Sequence, residues 1–291
     1  MKKILITGEN SYVGKSMKKW LEKYPDRYLI DSVSLRDNSW KEKNFSKYDH
    51  VFHVAGIAHV STDPKMEEVY YKVNRDLALA VAEKAKNENV NQFIFMSSII
   101  IYGKDGNVGE ERVISMDTEY SPVDFYGRSK LEADLAIQKL GSEKFKTVII
   151  RSPVIYGPGC KGNFPKLVKL ATLTPVFFDI KNARSMIYID NLCEFLRLCV
   201  DNCVQGVYYP QNKEYVSTKY IINEVRRAIG KKTLNVRFIN PILILLSKNI
   251  NFINKVFGNK VYDKRLSDHF EWTYEKVGLE ESIKKTIASI E

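Results

Sequence analysis

The sequence has few of the features that mark metal proteins, secreted proteins and membrane proteins. Its four cysteines form no C-x-x-C pair, and its four histidines complete no ligand set with them, so we predict no metal site. No apolar run approaches the ~20 residues that a membrane-spanning helix needs, and the N-terminus lacks the apolar stretch of a signal peptide. We therefore expect reduced thiols, a cytoplasmic location and no integral membrane segment.

Acidic residues are also in the minority. The chain has 45 lysines and arginines against 35 aspartates and glutamates, which gives a net charge of +10. Basic proteins often bind nucleic acid, but these lysines are spread over the whole chain and are not interleaved with RNA-binding aromatic motifs. We therefore expect no nucleic-acid partner, and interpret the charge as a solvated surface together with a site for anionic phosphates.

The stretch from Lys2 to Gly14 predicts a strand, a tight turn and a helix. The run Ile4–Ile6 is apolar throughout, as expected for a strand that is buried on both faces of a parallel sheet. After Gly14, apolar residues at helical spacing among lysines predict a helix. Gly8 permits the turn, small residues let backbone N–H groups approach a pyrophosphate, and the positive end of the helix faces the phosphates. Such a segment is typical of a dinucleotide-binding site.

The spacing of Gly8, Ser11 and Gly14 differs from the G-x-G-x-x-G of most dehydrogenases. It resembles the T-G-x-x-G-x-x-G motif of the short-chain dehydrogenase/reductase superfamily, with Ser11 at the position of the middle glycine. The resemblance implies that Gly8, Ser11, Tyr12, Val13 and Gly14 bind a nicotinamide dinucleotide. On the motif alone, the alternative is a strand, turn and helix that bind no ligand.

The end of the second predicted strand, Tyr28 to Leu35, bears on the choice of cofactor. A strand that ended at Ile30 would present Asp31 to the 2′-OH of NAD, whereas one that ends at Leu35 presents Arg36 to the 2′-phosphate of NADP. The shorter strand would leave two apolar residues in a loop. We therefore favour Arg36 and predict NADP(H), with NAD(H) as the alternative.

Tyr126 and Lys130 are four residues apart and so share one face of a predicted helix. They follow a predicted strand, Asn91 to Ser98, and together with the glycine turn they resemble the catalytic Ser-Tyr-Lys set of the superfamily. Free tyrosine has a pKa of ~10, so acid–base work near pH 7 requires a lower value. A cation one turn away and a positive nicotinamide ring can lower the pKa of Tyr126. Ser98 would hold the reacting oxygen of the substrate, a sugar oxygen in the related enzymes described next.

Two further segments resemble members of the extended group that act on nucleotide sugars. Residues Pro153–Phe164 resemble the R-P-P-x-x-Y-G-P-G-x-K-x-N-F segment of enzymes that reduce or epimerise UDP-sugars, which implies that Asn163 contacts the UDP-sugar. Arg184 resembles the arginine that grips the diphosphate, a role that suits a guanidinium; the alternative is a surface arginine. His59 could touch substrate or be a surface-loop histidine.

The resemblance covers nearly the whole chain and implies an extended short-chain dehydrogenase/reductase. We predict an α/β fold with a doubly wound parallel sheet (Rossmann) and a smaller C-terminal substrate lobe. The predicted dinucleotide-binding domain is residues 1–157, with residues 184–205 returning to it, and the lobe is residues 158–183 and 206–291. The resemblance also implies further cofactor contacts from Ala55, Gly56, Asn74 and Pro153.

Within this group the sequence looks most like bacterial reductases of UDP-4-keto-6-deoxy-N-acetylhexosamines, enzymes of surface-polysaccharide synthesis. This predicts reduction of a C4 keto group by NADPH. The alternative is a UDP-hexose or UDP-N-acetylhexosamine 4-epimerase, which uses the same residues with tightly held NAD. A non-catalytic NADP-sensing regulator is a third hypothesis, disfavoured by the intact Ser98, Tyr126 and Lys130. Members that dehydrate the sugar carry Asp-Glu where this chain has Ile99 and Ile100, which argues against a 4,6-dehydratase.

The C-terminal third is less informative. Residues Phe238 to Phe257 are apolar with scattered lysines, a composition that suits either a membrane surface or a helix of the smaller lobe, and we favour the second. By analogy with the superfamily, a homodimer through the Tyr126 helix and the predicted helix Asp63 to Asn87 is possible.

Overall fold

The computed structural model describes residues 1–58, 63–238, 240–247 and 251–290. The backbone divides into two compact units. The first contains Met1–Gly103, Glu119–Ser152 and Leu192–Pro210, and the second contains Lys104–Thr118, Pro153–Asn191 and Gln211–Glu291. The predicted domain boundaries differ from these units at four places: residues 104–118, 153–157 and 184–191 group with the second unit, and residues 206–210 group with the first.

The strands are β1 (Lys2–Thr7), β2 (Tyr28–Val33), β3 (His50–His53), β4 (Gln92–Ser98), β5 (Val113–Ile114), β6 (Lys146–Ser152), β7 (Val154–Tyr156), β8 (Val176–Phe178), β9 (Met186–Tyr188), β10 (Gly206–Tyr208), β11 (Leu234–Val236) and β12 (Val261–Tyr262). The α-helices are α1 (Tyr12–Leu21), α2 (Glu67–Tyr71), α3 (Leu77–Asn87), α4 (Phe125–Leu140), α5 (Asn163–Leu173), α6 (Ile189–Asp201), α7 (Thr218–Ala228), α8 (Asn240–Ser247), α9 (Asn251–Phe257) and α10 (Leu279–Ala288). Of the helices in the described ranges, none is long and apolar enough to cross a bilayer.

Six strands of the first unit form one sheet in the order β10-β6-β4-β3-β1-β2, and every neighbouring pair is parallel. The chain runs outward from β1 to β2 and then returns to β3 on the other side of β1, so the order reverses between β1 and β3. In open α/β sheets, ligands bind at the carboxyl ends of the strands at such a reversal. The predicted doubly wound parallel sheet is therefore confirmed.

The central strands are apolar and buried because helices cover both faces of the sheet. Ile4, Leu5 and Ile6 of β1 have no exposed surface, and the same holds for Phe93 and Phe95 of β4. One core cluster contains these strands together with apolar side chains of α3 and α4. The helices are thereby fixed against the strand ends where the site residues lie.

The helix that follows β3 is interrupted by a π-helical turn. The turn occupies Lys72–Asp76, between α2 and α3, and carries Asn74 near its middle. Such π-bulges are frequent at functional sites. The prediction of one continuous helix from Asp63 to Asn87 is therefore wrong in its interior, where the turn displaces the backbone around a fully buried asparagine.

The second strand is two residues shorter than predicted and ends at Val33. Asp31 lies inside the strand, beside Leu5 of β1, and its carboxylate accepts a hydrogen bond from the Tyr48 hydroxyl at 2.5 Å. Arg36 is exposed, three residues beyond the strand end. Neither of the two predicted strand ends, Ile30 or Leu35, is the one that occurs.

Among its described residues, the second unit has three pairs of parallel strands, β7 with β9, β8 with β11 and β5 with β12. Its interior is polar in places. The Tyr156 hydroxyl lies 2.6 Å from that of Ser282 and accepts a hydrogen bond from the Asn212 amide at 2.8 Å. All three side chains are buried, and their mutual hydrogen bonds compensate for the loss of water.

Candidate active site

The turn between β1 and α1 requires glycine at its first position. Gly8 has φ of +99°, and a Cβ atom there would lie 2.6 Å from the backbone nitrogen of Ala55. A Cβ on Gly14 would lie 2.7 Å from the Ser11 hydroxyl and 3.0 Å from the Gly8 carbonyl oxygen. Both glycines therefore let the turn pack against the chain that leaves β3, at the reversal point of the sheet.

Ser11 is the N-cap of α1. Its hydroxyl accepts a hydrogen bond from the Gly14 amide at 3.0 Å, which satisfies one of the amides that the first turn of a helix leaves without an intrahelical partner. Tyr12 and Val13 are the first two residues of that helix. The N-terminus of α1, with glycine before it and small residues opposite, fits the pyrophosphate of a dinucleotide. Serine at this position is compatible with a bound pyrophosphate because its hydroxyl is hydrogen-bonded within α1.

The chain after β3 is held by Asn74. The amide oxygen of Asn74 accepts from the Ile57 N–H at 2.8 Å, and its nitrogen donates to the Ile57 carbonyl at 3.1 Å and to the Ser129 hydroxyl at 3.2 Å. A Cβ on Gly56 would lie 3.0 Å from the Asn74 oxygen. One buried side chain thus joins the loop after β3 to α4. The small residues Ala55 and Gly56 leave room for a ligand to approach the backbone of this loop.

The Ser98 and Tyr126 side chains meet at the carboxyl end of β4. Ser98 is the last residue of β4 and caps a short 3₁₀ turn, Ile99–Tyr102, by accepting from the Ile100 amide at 3.3 Å. Tyr126 lies in the first turn of α4, and its hydroxyl is hydrogen-bonded to Ser98. Burial raises the pKa of Tyr126, and the bond to Ser98 lowers it by less. The chain alone therefore raises this pKa, and the lowering expected from a lysine and a bound nicotinamide ring together stays a prediction.

Lys130 is buried one turn further along α4 and is 6% exposed. Its Nζ donates to the carbonyl oxygen of Met96 at 2.8 Å. Burial lowers the pKa of Lys130 to about 8, and the charge of Asp134 acts in the opposite direction. Because desolvation disfavours the charged form, this ammonium is much closer to losing its proton at neutral pH than an exposed lysine.

Sequence reasoning missed a buried arginine behind these residues. Arg151, near the end of β6, has a guanidinium with five N–H donors. Its partners are Asp134 through Nε and Nη2, both at 3.0 Å, Tyr102 and Tyr209 through Nη1 at 2.8 and 2.9 Å, and Tyr120 through Nη2 at 2.9 Å. Every donor therefore has an acceptor, which is what an ion requires when it is 2% exposed.

The carboxylate of Asp134 connects this arginine to α4. Asp134 is fully buried and lies one turn beyond Lys130 on α4. Besides Arg151, it accepts from the Ser97 hydroxyl at 2.6 Å and from the Gln138 amide at 2.6 Å. These bonds fix α4 to β4 and β6 directly behind Tyr126 and Lys130. The signal in the sequence was a charged residue directly after the apolar run Val148–Ile150.

His53, the last residue of β3, is fully buried. Its Nδ1 lies 2.9 Å from the Thr7 hydroxyl, and its ring stacks against Phe93 and Phe95. Burial, with a smaller contribution from Lys130, lowers the pKa of His53 to about 3, so the ring is neutral at physiological pH.

The second unit contains the other predicted substrate residues. Asn163 is the first residue of α5, and Pro153 is buried at the start of β7. The Arg184 guanidinium lies 3.1 Å from the Asp105 carboxylate and donates to the carbonyl oxygens of Asn254 and Lys255 at 3.0 and 2.9 Å. These contacts show that Arg184 holds segments of its own unit together. That it also binds a diphosphate stays a prediction.

Two further predictions concern His59 and metal ions. His59 lies outside the described residues. Within the described ranges, no three His, Cys, Asp or Glu side chains are grouped so that they could hold a metal ion.

The parallel sheet, the glycine turn at its reversal point and the Ser98–Tyr126–Lys130 set define a dinucleotide-dependent enzyme class. Residues 4–216 match the model of the NAD dependent epimerase/dehydratase family. Because the match covers more than half of the chain, the protein belongs to this family.

Curated relatives and solved structures agree with this assignment. A UDP-glucose 4-epimerase of Vibrio cholerae is 29% identical over 290 residues, which cover 91% of this chain and 85% of the relative. A second relative is the N-acetyl-α-D-glucosaminyl-diphospho-ditrans,octacis-undecaprenol 4-epimerase of Escherichia coli O157:H7. It is 26% identical, and the alignment covers 81% of this chain and 71% of the relative. The Bacillus cereus UDP-glucuronic acid 4-epimerase, solved with NAD, superposes with a TM-score of 0.76 at 20% identity and covers 99% of this chain and 96% of its own. This structural similarity establishes the fold.

Proposed function

We propose that the protein is a 4-epimerase of a UDP-linked hexose or N-acetylhexosamine that works with tightly held NAD. The observation that carries the proposal is the Ser98–Tyr126 hydrogen bond with Lys130 buried one helical turn away. Two curated relatives, covered over 85% and 71% of their length, are named as 4-epimerases of diphosphate-linked sugars. These relatives favour epimerisation over the C4 reduction that the sequence alone suggested.

The chain supplies the proton chemistry of this reaction. The Tyr126 phenol oxygen takes the proton of the sugar's C4 hydroxyl and later returns it to the C4 oxygen, which Ser98 holds by a hydrogen bond. NAD would be held at the turn from Gly8 to Gly14, and it would supply the hydride acceptor and donor that inversion at C4 requires. Because burial raises the pKa of Tyr126, a nearby positive charge is needed for the phenol to act as a base. A protonated Lys130 and the nicotinamide ring are the two candidates for that charge.

The residues after Ser98 support epimerisation over dehydration. Ile99 and Ile100 begin the 3₁₀ turn that Ser98 caps, and neither side chain can transfer a proton. Epimerisation needs acid–base groups only at C4. Loss of water from the sugar needs additional acid–base groups. The chain therefore carries the groups for the first reaction and lacks the pair for the second at these positions.

A second candidate, the NADPH-dependent 4-reductase, is favoured by one observation at the end of β2. Asp31 is engaged by Tyr48 inside the strand, whereas Arg36 is exposed beyond the strand end. An exposed guanidinium there suits a 2′-phosphate. The solved relatives offer no support for NADP, since the Bacillus cereus enzyme and a Thermus thermophilus UDP-glucose 4-epimerase were both solved with NAD.

The two candidates differ in what they need from solution. We expect the purified protein to release NAD on denaturation, and to convert UDP-glucose or UDP-N-acetylglucosamine into its 4-epimer without added nucleotide. Tyr126→Phe should retain NAD but lower turnover by ~10²-fold or more, because one positioned acid–base group contributes about that much. Sugar nucleotides are separated by chromatography, and bound cofactor is identified in the same run.

One result would reverse the assignment. Stoichiometric oxidation of added NADPH by a UDP-4-keto sugar, with no 4-epimer formed in its absence, would make the protein a reductase. The undecaprenyl diphosphate form of N-acetylglucosamine belongs in the same panel, since the Escherichia coli relative is named for that carrier.

A further inference from the structure

One continuous segment of the second unit carries most of the protein's net charge. From Val225 to Tyr262 the sequence contains no aspartate or glutamate. It contains eight cationic residues: Arg226, Arg227, Lys231, Lys232, Arg237, Lys248, Lys255 and Lys260. The segment therefore contributes +8 to the net charge of +10, and the rest of the chain contributes only +2.

The helix in the middle of this segment exposes apolar side chains. Leu245 of α8 is 65% exposed and Ile242 is 57% exposed, while Ile244 and Leu246 are also exposed. Phe238, two residues before the helix, is 78% exposed. A helix of a globular protein normally buries its apolar stripe and exposes polar residues, and contiguous apolar surface of this kind marks an interaction site.

The cationic residues before and after α8 indicate the chemistry of the partner that its exposed apolar side chains would contact. Lys231, Lys232 and Lys255 are exposed on either side of the helix in sequence. A second copy of the chain would bring the same acid-free, cationic segment against itself, and like charges in contact are unfavourable. An anionic lipid surface offers both acyl chains for the apolar residues and phosphates for the lysines.

The length of α8 fits a position in the plane of a membrane. Eight residues of α-helix extend ~12 Å, far less than the ~30 Å hydrocarbon core of a bilayer. An apolar segment of this size between cationic residues is the pattern of an interfacial helix, which inserts only to the level of the headgroups.

We propose that α8, together with Phe238 and the flanking lysines, docks the second unit on an anionic phospholipid surface. Ile242, Leu245 and Phe238 enter the outer part of the acyl region, and Lys231, Lys232 and Lys255 meet the headgroup phosphates. The docking does not depend on which sugar the enzyme converts, because it uses residues outside the Ser98–Tyr126–Lys130 set.

Flotation of the full-length protein with lipid vesicles tests the proposal. We expect binding to vesicles of phosphatidylglycerol mixed with phosphatidylcholine, little binding to phosphatidylcholine alone, and loss of binding at high salt. Leu245→Asp should weaken partitioning by about tenfold or more, because it puts a charge in place of an exposed apolar side chain that enters the acyl region on docking. Met116→Asp is the matched control, since Met116 is an apolar residue of the same unit that is 74% exposed, and its binding should equal that of wild type.

The electrostatic part is tested separately with Lys231→Glu/Lys232→Glu, which should reduce binding to anionic vesicles without altering the folded state seen by circular dichroism. Light scattering after size exclusion distinguishes the competing occupant. If Leu245→Asp splits a dimer while wild type ignores the vesicles, α8 is an interface between copies and the proposal is overturned. Equal binding of wild type to neutral and anionic vesicles would also overturn it.

Discussion

Lys130 and Arg151 are both buried cations of the first unit, and their surroundings differ. Arg151 has a carboxylate and three phenols, which use all five of its donors. Within the described residues, the Lys130 ammonium donates to one acceptor, the carbonyl oxygen of Met96, and the pKa of Lys130 falls to about 8. An ion with a full set of partners keeps its charge and fixes structure. An ion with few partners can change its charge, as acid–base chemistry requires.

Asp134 links the two cations. Its oxygens accept from Arg151 and Ser97, and its charge favours the protonated form of Lys130 without cancelling the effect of burial. The carboxylate is thus committed to the arginine, and the lysine one helical turn away is left close to its titration point. Changes at Arg151 should therefore act on stability, and changes at Lys130 should act on chemistry.

The largest effect is expected from Arg151→Met. The substitution leaves Asp134 as a buried carboxylate without its counter-ion, which typically costs about 3–5 kcal/mol of unfolding free energy. Urea denaturation followed by circular dichroism measures this change.

The double variant Arg151→Met/Asp134→Leu is the control for that experiment. Replacing a whole buried ion pair with apolar residues is often nearly neutral, so the double variant should be more stable than Arg151→Met alone. If the single variant loses less than about 1 kcal/mol, the network is not the structural ion pair described above.

Lys130→Met should show the opposite pattern. The variant removes a desolvated ammonium together with its hydrogen bond to the Met96 carbonyl oxygen, two effects of opposite sign, so we expect the unfolding free energy at pH 7 to stay within about 1 kcal/mol of wild type. Turnover should fall by ~10²-fold or more if Lys130 supports Tyr126. Initial rates and urea denaturation on the same preparation test both parts, and a loss of stability like that of Arg151→Met would remove the contrast.

The residues on the catalytic side of this comparison could be predicted from the sequence, because they lie in local patterns. The Gly8–Ser11–Gly14 turn and the Tyr126–Lys130 pair have fixed spacings that a strand-to-helix turn and one helical turn impose. The strand predicted from Asn91 to Ser98 also occurs, as β4, with its carboxyl end at the predicted residue. Because these local patterns together resemble one family, the sequence also predicted the fold.

The structural side could not be predicted in the same way. Arg151 collects partners at positions 102, 120, 134 and 209, which only the tertiary fold brings together. The end of β2 was missed because Leu35 fits the apolar pattern of a strand, yet pairing with β1 stops at Val33, where β1 itself gives way to the glycine turn. Helicity within Phe238–Phe257 was predicted, but not that α8 leaves its apolar side chains exposed. The homodimer and the cytoplasmic location stay predictions.

The expected effect that is most specific to Lys130 concerns pH. The pKa of Lys130 is about 8 in the folded protein and near 10.5 in the unfolded chain. Between these values the unfolded chain holds a proton that the folded protein has lost, so the unfolding free energy contributed by this group rises with pH. The penalty for burying the ammonium is fully present below pH 8 and disappears above about pH 10.5.

Lys130→Met isolates this contribution, because subtraction cancels the buried tyrosines and the other groups that titrate in the same range. We expect the free energy of wild type minus that of the variant to be flat below pH 8 and then to increase, by about 1.4 kcal/mol for each pKa unit that separates the two states. Urea denaturation between pH 7 and pH 10 on protein freed of nucleotide provides the measurement. Parallel curves would mean that Lys130 keeps an ordinary pKa, and the distinction from Arg151 would then rest on geometry alone.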